Sequence, residues 1–176
     1  MYYTIYKSPL GKITLASDGN NLTGLWNEGQ KYHGNTAEMS EQGGLPIFEH
    51  TKKWLDNYFA GEKPAINRLQ IAPAGSEFRQ QVWEILCQIP YGQVITYGEI
   101  AKKMAAKLNR QSMSGQAVGG AVGHNPISII IPCHRVVGAN GSLTGYAGGI
   151  GIKVKLLELE GADIAGYFVP DKGTAL

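Results

Sequence analysis

Cysteine is scarce in this sequence, with only Cys87 and Cys133 among 176 residues. Two thiols cannot form the disulfide framework of a small secreted protein, so a reducing compartment is expected. No apolar run reaches the length of a membrane span, and the first residues, with Pro9 and Gly11 close behind them, do not resemble a signal peptide. The sequence therefore predicts a cytoplasmic protein with no membrane partner.

Net charge is also small, since 16 basic residues stand against 14 acidic ones and the formal net charge is +2. This balance permits a nucleic-acid partner, but any basic footprint must be local. Hydrophobic residues make up 43% and charged residues 17% of the chain, which is ordinary for a globular protein. A chain of this length can bury a sizeable core, as one domain or as two small ones.

Turn and helix signals in the first part of the chain predict a small α+β unit. Three short strands separated by turn residues are predicted at residues 2–6, 12–16 and 22–26. Apolar residues recur at helical spacing from Pro46 until Gly61 ends the segment. Residues 28–44 are expected to form a loop, and residues 69–71 to form one more strand. No catalytic constellation is found in this half.

Helix caps organise the rest of the chain after a boundary at residues 72–75. Ser76, Thr96 and Ser114 each precede a helical pattern, and Glu99 completes a capping box with Thr96. The predicted helices cover residues 77–89, 96–108, 115–123 and 152–160. The second and third suggest a helix-turn-helix, although the link between them is longer than the usual tight turn.

The third of these helices is unusually slim, because Gly119, Gly120 and Ala121 follow Gln116 and Ala117. A glycine inside a helix costs about 1 kcal/mol relative to alanine, so something should compensate for it. Tight packing against a neighbouring helix is one explanation. Insertion into the narrow minor groove of DNA is the other, and recognition there is largely insensitive to sequence.

A proline separates an apolar run from a cysteine–histidine pair. The three consecutive isoleucines at residues 129–131 predict a short buried strand that Pro132 should end. Cys133 would then follow a rigid element, with His134 as its neighbour, which is the placement that a nucleophile needs. A buried structural cysteine beside a surface histidine is the simpler alternative.

A free thiol with a pKa near 8.5 is only a few per cent ionised at neutral pH. His134 can accept the proton of Cys133, directly or through one water, if a carboxylate orients the imidazole ring. Position in the sequence leaves both Glu158 and Glu160, at the end of the last helix, as candidates for that carboxylate.

Five motifs occur in a fixed order along residues 76–161. The central one is Ile-Pro-Cys-His-Arg-Val at residues 131–136, with Asn125-Pro126 shortly before it. The others are QVITY at 93–97, AVGGA at 117–121, GYAGG at 145–149 and LLELEG at 156–161. This ordered set closely resembles the signature of the O6-alkylguanine-DNA alkyltransferases, whereas the earlier residues match that family only in general character.

The resemblance implies an α+β fold with a small N-terminal α/β domain, ribonuclease H-like, at residues 1–72 and a mostly helical domain at residues 76–165. The second domain would hold the helix-turn-helix and a short active-site strand. The implied activity is DNA repair, in which Cys133 irreversibly takes the alkyl group of O6-alkylguanine or O4-alkylthymine and each molecule reacts once. The implied partner is double-stranded DNA carrying the lesion, bound by a monomer, with no metal and no organic cofactor.

The resemblance also assigns roles by position, and its Glu-Gly step favours Glu160 over Glu158. The expected catalytic residues are Tyr97 and the members of a Cys–water–His–Glu relay, Cys133, His134 and Glu160. The expected substrate-binding residues are Asn125, Val136, Tyr146, Ala147 and Gly148. The expected DNA-binding residues are Thr96, Arg110, Gln116, Ala117, Gly119 and Gly120.

One position departs from the family pattern. Many relatives carry an arginine that fills the gap left by a flipped base, and this chain has Gln116 there. Glutamine brings no positive charge, so weaker DNA affinity and a smaller salt dependence are expected. The link before this helix is longer than in shorter relatives, and Arg110 within it is expected to supply part of the missing charge.

Three rival functions follow from the same residues. A protein that senses alkylated bases without repairing them would have the cysteine replaced, whereas this chain keeps it. A cysteine hydrolase would turn over repeatedly on an ester or amide. Metal binding through His124, Cys133 and His134 is disfavoured, because adjacent residues cannot easily ligate one tetrahedral ion.

Overall fold

The computed structural model describes residues 1–171, which divide into two compact units. The N-terminal unit comprises Met1–Ala74 together with Pro126–Ile130, and the C-terminal unit comprises Gly75–Asn125 and the chain from Ile131 onward. The mixture of a sheet and helices confirms the predicted α+β class. Over residues 1–171, no helix combines the length and the apolar character needed to cross a membrane.

A four-stranded sheet in the order β3-β2-β1-β4 forms the N-terminal unit. Its strands are β1 (Tyr2–Ser8), β2 (Gly11–Ser17), β3 (Leu22–Asn27) and β4 (Ser40–Glu41). The hairpin of β1 and β2 closes at the pair Ser8 and Gly11, and Gly11 has a φ of 112°, which residues with a side chain rarely adopt. Helix α1 (Pro46–Phe59) packs on the sheet and buries Phe48 and Leu55.

Two predictions for this half need correction. Residues 28–44 are not only a loop, because a 3₁₀ turn (Thr36–Glu38) and the two residues of β4 lie there, and β4 pairs in parallel with β1. The expected strand at residues 69–71 is a single bridge between Leu22 and Ile71. Pairings of one or two residues are too short to leave a periodic pattern in the sequence.

Capped helices dominate the C-terminal unit. They are α2 (Glu77–Cys87), α3 (Tyr97–Lys107), α4 (Gly115–Gly123) and α5 (Ile150–Leu159). The side chains of Ser76, Thr96 and Ser114 accept hydrogen bonds in the first turns of α2, α3 and α4, and Glu99 completes the capping box. Helix α4 packs against both α2 and α3, and Trp83 Nε1 donates to a carbonyl of α4 at 2.9 Å.

The apolar run before Cys133 is buried but is not a strand, contrary to the prediction. Residues 128–130 form a turn, and Ile129 adopts a φ of 71°, which is uncommon for a β-branched residue. A run of apolar residues indicates that a segment is buried, but it does not show that the backbone is extended. The strand prediction was wrong for this reason. The short strand of this region follows the cysteine, where β6 (Val136–Val137) pairs in parallel with β5 (Ile95–Thr96).

Candidate active site

Cys133 begins a single 3₁₀ turn, Cys133–Arg135, directly after Pro132. The residue is only 4% exposed, and its Sγ accepts a hydrogen bond from Asn125 Nδ2 at 3.1 Å. The same amide nitrogen donates to the carbonyl of Ile131 at 2.8 Å. Asn125 therefore ties the end of α4 to the turn that presents the thiol.

Burial raises the pKa of the Cys133 thiol above its ordinary value. The Asn125 amide, the charge of Lys153 and the backbone N–H groups of Cys133 and His134 act in the opposite direction. Hydrogen bonds and a nearby cation favour a thiolate, but burial prevails. The free protein therefore holds Cys133 as a thiol, and its reaction requires a base.

His134, the neighbour of Cys133, forms a fully buried pair with Glu160. Its Nε2 lies 2.7 Å from Oε1 of Glu160. Burial alone would raise the pKa of Glu160, but hydrogen bonds from His134 and Arg135 hold that pKa well below its usual range. Because Glu160 is a carboxylate, Nε2 of His134 carries the proton and donates, and Nδ1 is left as an acceptor.

Nδ1 of His134 is buried and has no hydrogen-bond partner among the residues that the structure describes. Burial lowers the pKa of His134, and the hydrogen bond to Glu160 offsets only part of this effect. A neutral imidazole with a free acceptor nitrogen is what a general base requires. Glu158, the other candidate carboxylate, is exposed.

Two buried cations of this site were not predicted from the sequence, and Arg135 is the first. Its Nε donates to Oε2 of Glu160 at 2.8 Å and its Nη2 donates to Oε1 at 3.0 Å. The backbone N–H of Gly92 also donates to Oε2, at 3.1 Å. The carboxylate of Glu160 is thus shared between an imidazole and a guanidinium.

Lys153 on α5 is the second unpredicted cation, and it is fully buried. Its ammonium donates to the carbonyls of Val136 and Thr144, the latter at 2.9 Å. Burial lowers the pKa of Lys153 to about 8. A signal was available in the sequence, because Lys153 stands on the inner stripe of α5 three and four residues before the buried Leu156 and Leu157.

The loop before α5 carries the residues expected to form the base pocket. Tyr97 donates its hydroxyl hydrogen to the carbonyl of Gly145 at 3.1 Å, and burial raises the pKa of Tyr97, so its hydroxyl stays protonated. Tyr146 is buried, whereas Ala147 and Gly148 are partly exposed. The structure therefore brings Tyr97 to the loop that holds three of the expected substrate-binding residues, Tyr146, Ala147 and Gly148.

The outer face of α4 carries three of the six expected DNA-binding residues. Gln116 and Ala117 are exposed, and Gly120 is partly exposed. A Cβ built on Gly120 would meet no atom within 4 Å, so packing does not explain this glycine. Gly119 is buried, and helix packing remains its explanation.

Thr96 and Arg110 lie beyond opposite ends of α3, a helix about 16 Å long. The Thr96 hydroxyl oxygen accepts from the N–H of Glu99 at 3.1 Å. Arg110 is exposed just beyond the helix. The structure therefore does not bring these two residues into one cluster.

The metal-binding alternative finds no support in the part of the chain that the structure describes, residues 1–171. Within it, no group of three or more His, Cys, Asp and Glu side chains is placed to hold a metal ion. His124 instead directs its Nδ1 at the carbonyl of Gly120, 2.7 Å away.

The site defines a protein with a buried cysteine next to a buried histidine–carboxylate pair. Residues 1–73 match the family model "6-O-methylguanine DNA methyltransferase, ribonuclease-like domain". Residues 77–162 match the model "6-O-methylguanine DNA methyltransferase, DNA binding domain". The chain belongs to the 6-O-methylguanine DNA methyltransferase family, which confirms the resemblance seen in the sequence.

Individual relatives agree with this assignment. The chain is 41% identical over 160 residues to a methylated-DNA–protein-cysteine methyltransferase of Haemophilus influenzae, covering 91% of this chain and 86% of the relative. It is 44% identical over 166 residues to the protein of that name from Methanosarcina acetivorans, covering 92% and 99%. The crystal structure of Mycobacterium tuberculosis OGT in complex with DNA matches with a TM-score of 0.81 and 42% identity, over 92% of this chain and 93% of that one.

Proposed function

We propose that this chain repairs DNA by moving the alkyl group of O6-alkylguanine, or of O4-alkylthymine, to Cys133, once per molecule. The observation that carries the proposal is the buried arrangement of Cys133, His134 and Glu160 in a member of the 6-O-methylguanine DNA methyltransferase family. Relatives named methylated-DNA–protein-cysteine methyltransferase support a cysteine as the acceptor.

The transfer is a displacement at carbon. The sulfur of Cys133 forms a bond to the alkyl carbon as the bond from that carbon to O6 breaks, and the electron pair stays on the guanine. The thiol proton passes to Nδ1 of His134, through one water, while Glu160 holds the other ring nitrogen. The guanine takes up a proton, so that a thiol and an alkylated base become a thioether and guanine. A thioether has no easy reversal, and the scheme needs no metal or organic cofactor.

Negative charge grows on the departing base, so hydrogen-bond donors aimed at it stabilise the transition state. Tyr97 donates to the ring nitrogen, which requires its hydroxyl to turn away from the carbonyl of Gly145. The backbone N–H of Ala147 donates to O6. Tyr146 and Gly148 form the wall of the pocket.

The carbonyls of Cys133 and Val136 accept hydrogen bonds from the exocyclic amine of the guanine. The Val136 carbonyl already accepts from Lys153. A carbonyl oxygen has two lone pairs, so it can serve both donors at once. Asn125 keeps the turn and α4 in register through its bonds to Ile131 and the sulfur.

The target carbon lies inside a duplex, so the nucleotide must be flipped out of the helix before it can react. The slim face of α4 enters the minor groove, and Gln116 fills the gap and bonds to the orphaned partner base. Thr96 and Arg110 contact backbone phosphates. The small residues that let the helix approach closely are Ala117 and Gly120, whereas Gly119 is buried and serves the packing of α4.

We assign DNA binding and alkyl transfer to one domain, residues 76–165, and a separate domain to residues 1–72. This is supported by the position of Cys133, His134 and Glu160, all within the C-terminal unit. The protein acts as a monomer in the cytoplasm, where a reducing environment keeps the thiol available.

A mass measurement tests the proposal. The protein is incubated with a duplex containing O6-methylguanine and then digested, and a mass gain of one methylene is expected on the Cys133 peptide alone. The Cys133→Ala variant should leave the lesion intact. An intact lesion with tight binding by the unmodified chain would instead indicate a sensing protein, and repeated turnover on an ester or amide would indicate a hydrolase.

A further inference from the structure

Arg135 gives the Glu160 carboxylate a permanent charged partner. Its guanidinium bonds both carboxylate oxygens, and Nη1 donates to the carbonyl of Ile89 at 2.6 Å. The guanidinium carbon also lies 5.7 Å from the ring centre of Tyr91. Arginine stays charged in proteins, and its bidentate pairing with a carboxylate fixes the geometry of both groups. The Glu160 side chain is fully buried and that of Arg135 nearly so.

The charged groups that act on His134 come from two elements. Glu160, at the end of α5, favours the protonated imidazole, whereas Arg135 on the same turn and Lys153 on α5 disfavour it. The neighbouring titratable groups are Cys133, on the same turn, and Tyr91, which lies under the guanidinium. The protonation of His134 therefore depends on how much of the Glu160 charge is already neutralised.

A buried carboxylate requires a counter-charge. Arg135 supplies it, so His134 can remain a neutral hydrogen-bond donor to Glu160. Without that guanidinium, Glu160 would keep only hydrogen bonds from groups such as the Gly92 amide and the imidazole. Protonation of His134 would then restore neutrality, with the proton drawn from Cys133 or from solvent.

The repair reaction begins and ends with a neutral His134, because the thiol proton finishes on the guanine. A histidine that held the proton firmly would leave Cys133 as a standing thiolate in the free protein, where it could react with any small electrophile. It would also release the proton less readily to the departing base. Cys133 can react only once, so it benefits from a His134 that binds a proton weakly. The cysteine then stays a thiol and is protected from small electrophiles.

We propose that Arg135 is a positioning residue that occupies the Glu160 carboxylate, so that His134 stays neutral and Cys133 stays a thiol until a base enters the pocket. Arg135 acts through Glu160 and not on the sulfur. The benefit of this arrangement for repair rests on the proposed function. The balance of charge among Arg135, Glu160 and His134 exists in the free protein, so it can be measured without DNA.

The test compares three variants of the full chain, Arg135→Met, Arg135→Lys and Glu160→Gln. The rate at which iodoacetamide alkylates Cys133 is followed by peptide mass from about pH 5 to about pH 9, a range that spans the ordinary histidine and cysteine pKa values. The amount of Cys133 that iodoacetamide modifies after denaturation serves as the reference for each variant. Cys87 is not a suitable reference, because the charge of Arg135 acts on its pKa as well.

Arg135→Met removes the cation, and the acid limb of the Cys133 profile should move about one pH unit lower, which makes alkylation about tenfold faster on that limb. Glu160→Gln leaves a guanidinium beside His134 without its carboxylate, so the limb should move in the opposite direction. Arg135→Lys keeps the charge and should restore most of the wild-type position. If Arg135 had only a structural role, Arg135→Met and Glu160→Gln would shift the profile in the same direction.

An unchanged profile in Arg135→Met, or shifts of the same sign in Arg135→Met and Glu160→Gln, would overturn the proposal. If Arg135→Met does not fold, the ¹⁵N shifts of the wild-type His134 ring decide. A neutral ring with an unprotonated Nδ1 at neutral pH supports the proposal, and an imidazolium overturns it. If the protein repairs the lesion but Arg135→Met does not shift the profile, the role given to Arg135 is wrong and the proposed function stands. If Arg135→Met and Glu160→Gln shift the profile in opposite directions but the protein repairs no lesion, the proposed function is wrong and the role of Arg135 stands.

Discussion

At the scale of single residues, the site contains two buried cations in different situations. Arg135 faces a permanent anion, Glu160. Lys153 faces a thiol that is uncharged at rest, and its ammonium is held by the carbonyls of Val136 and Thr144. Backbone dipoles compensate a buried ammonium less completely than an anion does, which accounts for the lowered pKa of Lys153.

This pKa, about 8 for Lys153, predicts that Lys153 contributes more to the stability of the folded protein as the pH rises. Unfolding returns the lysine to its ordinary pKa near 10.4. Between about pH 8 and about pH 10.4 residue 153 then holds more proton in the unfolded chain than in the folded one, so its contribution to the free energy of unfolding rises with pH, by about 3 kcal/mol at most. The raised pKa values of Cys87 and Cys133 act in the opposite direction over this window. Urea unfolding at successive pH values measures this rise.

The Lys153→Met variant is the matched control for that experiment. It replaces the ammonium with an apolar side chain of similar length, so the free energy of unfolding of the unmodified chain, taken relative to that of the variant, should rise across this window. An equal rise in the variant and in the unmodified chain would show that another group is responsible.

The sequence drew attention to Cys133, His134 and Glu160, and the structure places the last two in contact beside the first; their roles stay predictions. The buried cations were not predicted, because arginine and lysine are expected at the surface. Arg135 meets its carboxylate 25 positions along the chain, and such a pairing depends on the tertiary fold. Only Lys153 broke a visible pattern, the apolar stripe of α5.

At the scale of elements, α4 combines poor helix propensity with an open outer face. Gly120→Ala adds a methyl group where nothing lies within 4 Å, so thermal unfolding should show a gain of up to about 1 kcal/mol. The same methyl group thickens the face that is proposed to enter the minor groove, so duplex affinity should fall.

A matched control for this variant is Gly151→Ala on α5, where a Cβ also meets open space. It should raise helix stability without weakening duplex binding, as measured by fluorescence anisotropy. If Gly120→Ala binds duplex DNA as tightly as the unmodified chain, the proposed close approach of α4 to DNA is wrong.

The absence of an arginine at position 116 gives a second prediction for α4. Gln116→Arg should tighten duplex binding and steepen the plot of log affinity against log salt by about one, because one more positive charge on the protein releases about one more counterion from the DNA. Gln42→Arg adds the same charge at an exposed residue of the N-terminal unit and serves as the control. No gain in Gln116→Arg over Gln42→Arg would count against a DNA-contacting role for residue 116.

The capped helices were predictable because their signals are local. Ser76, Thr96 and Ser114 sit within a few residues of the N–H groups that they satisfy. The turn at Ile129 was not predictable, because a left-handed backbone at a β-branched residue is imposed by its surroundings. Strand β4 was missed for a similar reason, since two residues paired with β1 leave no period to read.

At the scale of the whole molecule, the chain does not divide at one point. Residues 126–130 belong by their contacts to the N-terminal unit, although the residues on both sides of them belong to the C-terminal unit. Leu25 donates its N–H to the carbonyl of Pro126 at 2.9 Å and accepts from the N–H of Ser128 at 3.0 Å. A domain boundary is predicted from a change in sequence composition. Such a change does not show that residues 126–130, far along the chain, belong to the N-terminal unit.

The central claim for the whole molecule is that Cys133 is consumed by a single transfer. The most direct test counts repaired lesions per protein molecule when a duplex containing O6-methylguanine is in excess. Repair is predicted to stop at one lesion per molecule, with the methyl group on Cys133. Continued repair beyond that ratio, or no repair by a protein whose Cys133 still reacts as a thiol after denaturation, would contradict the account.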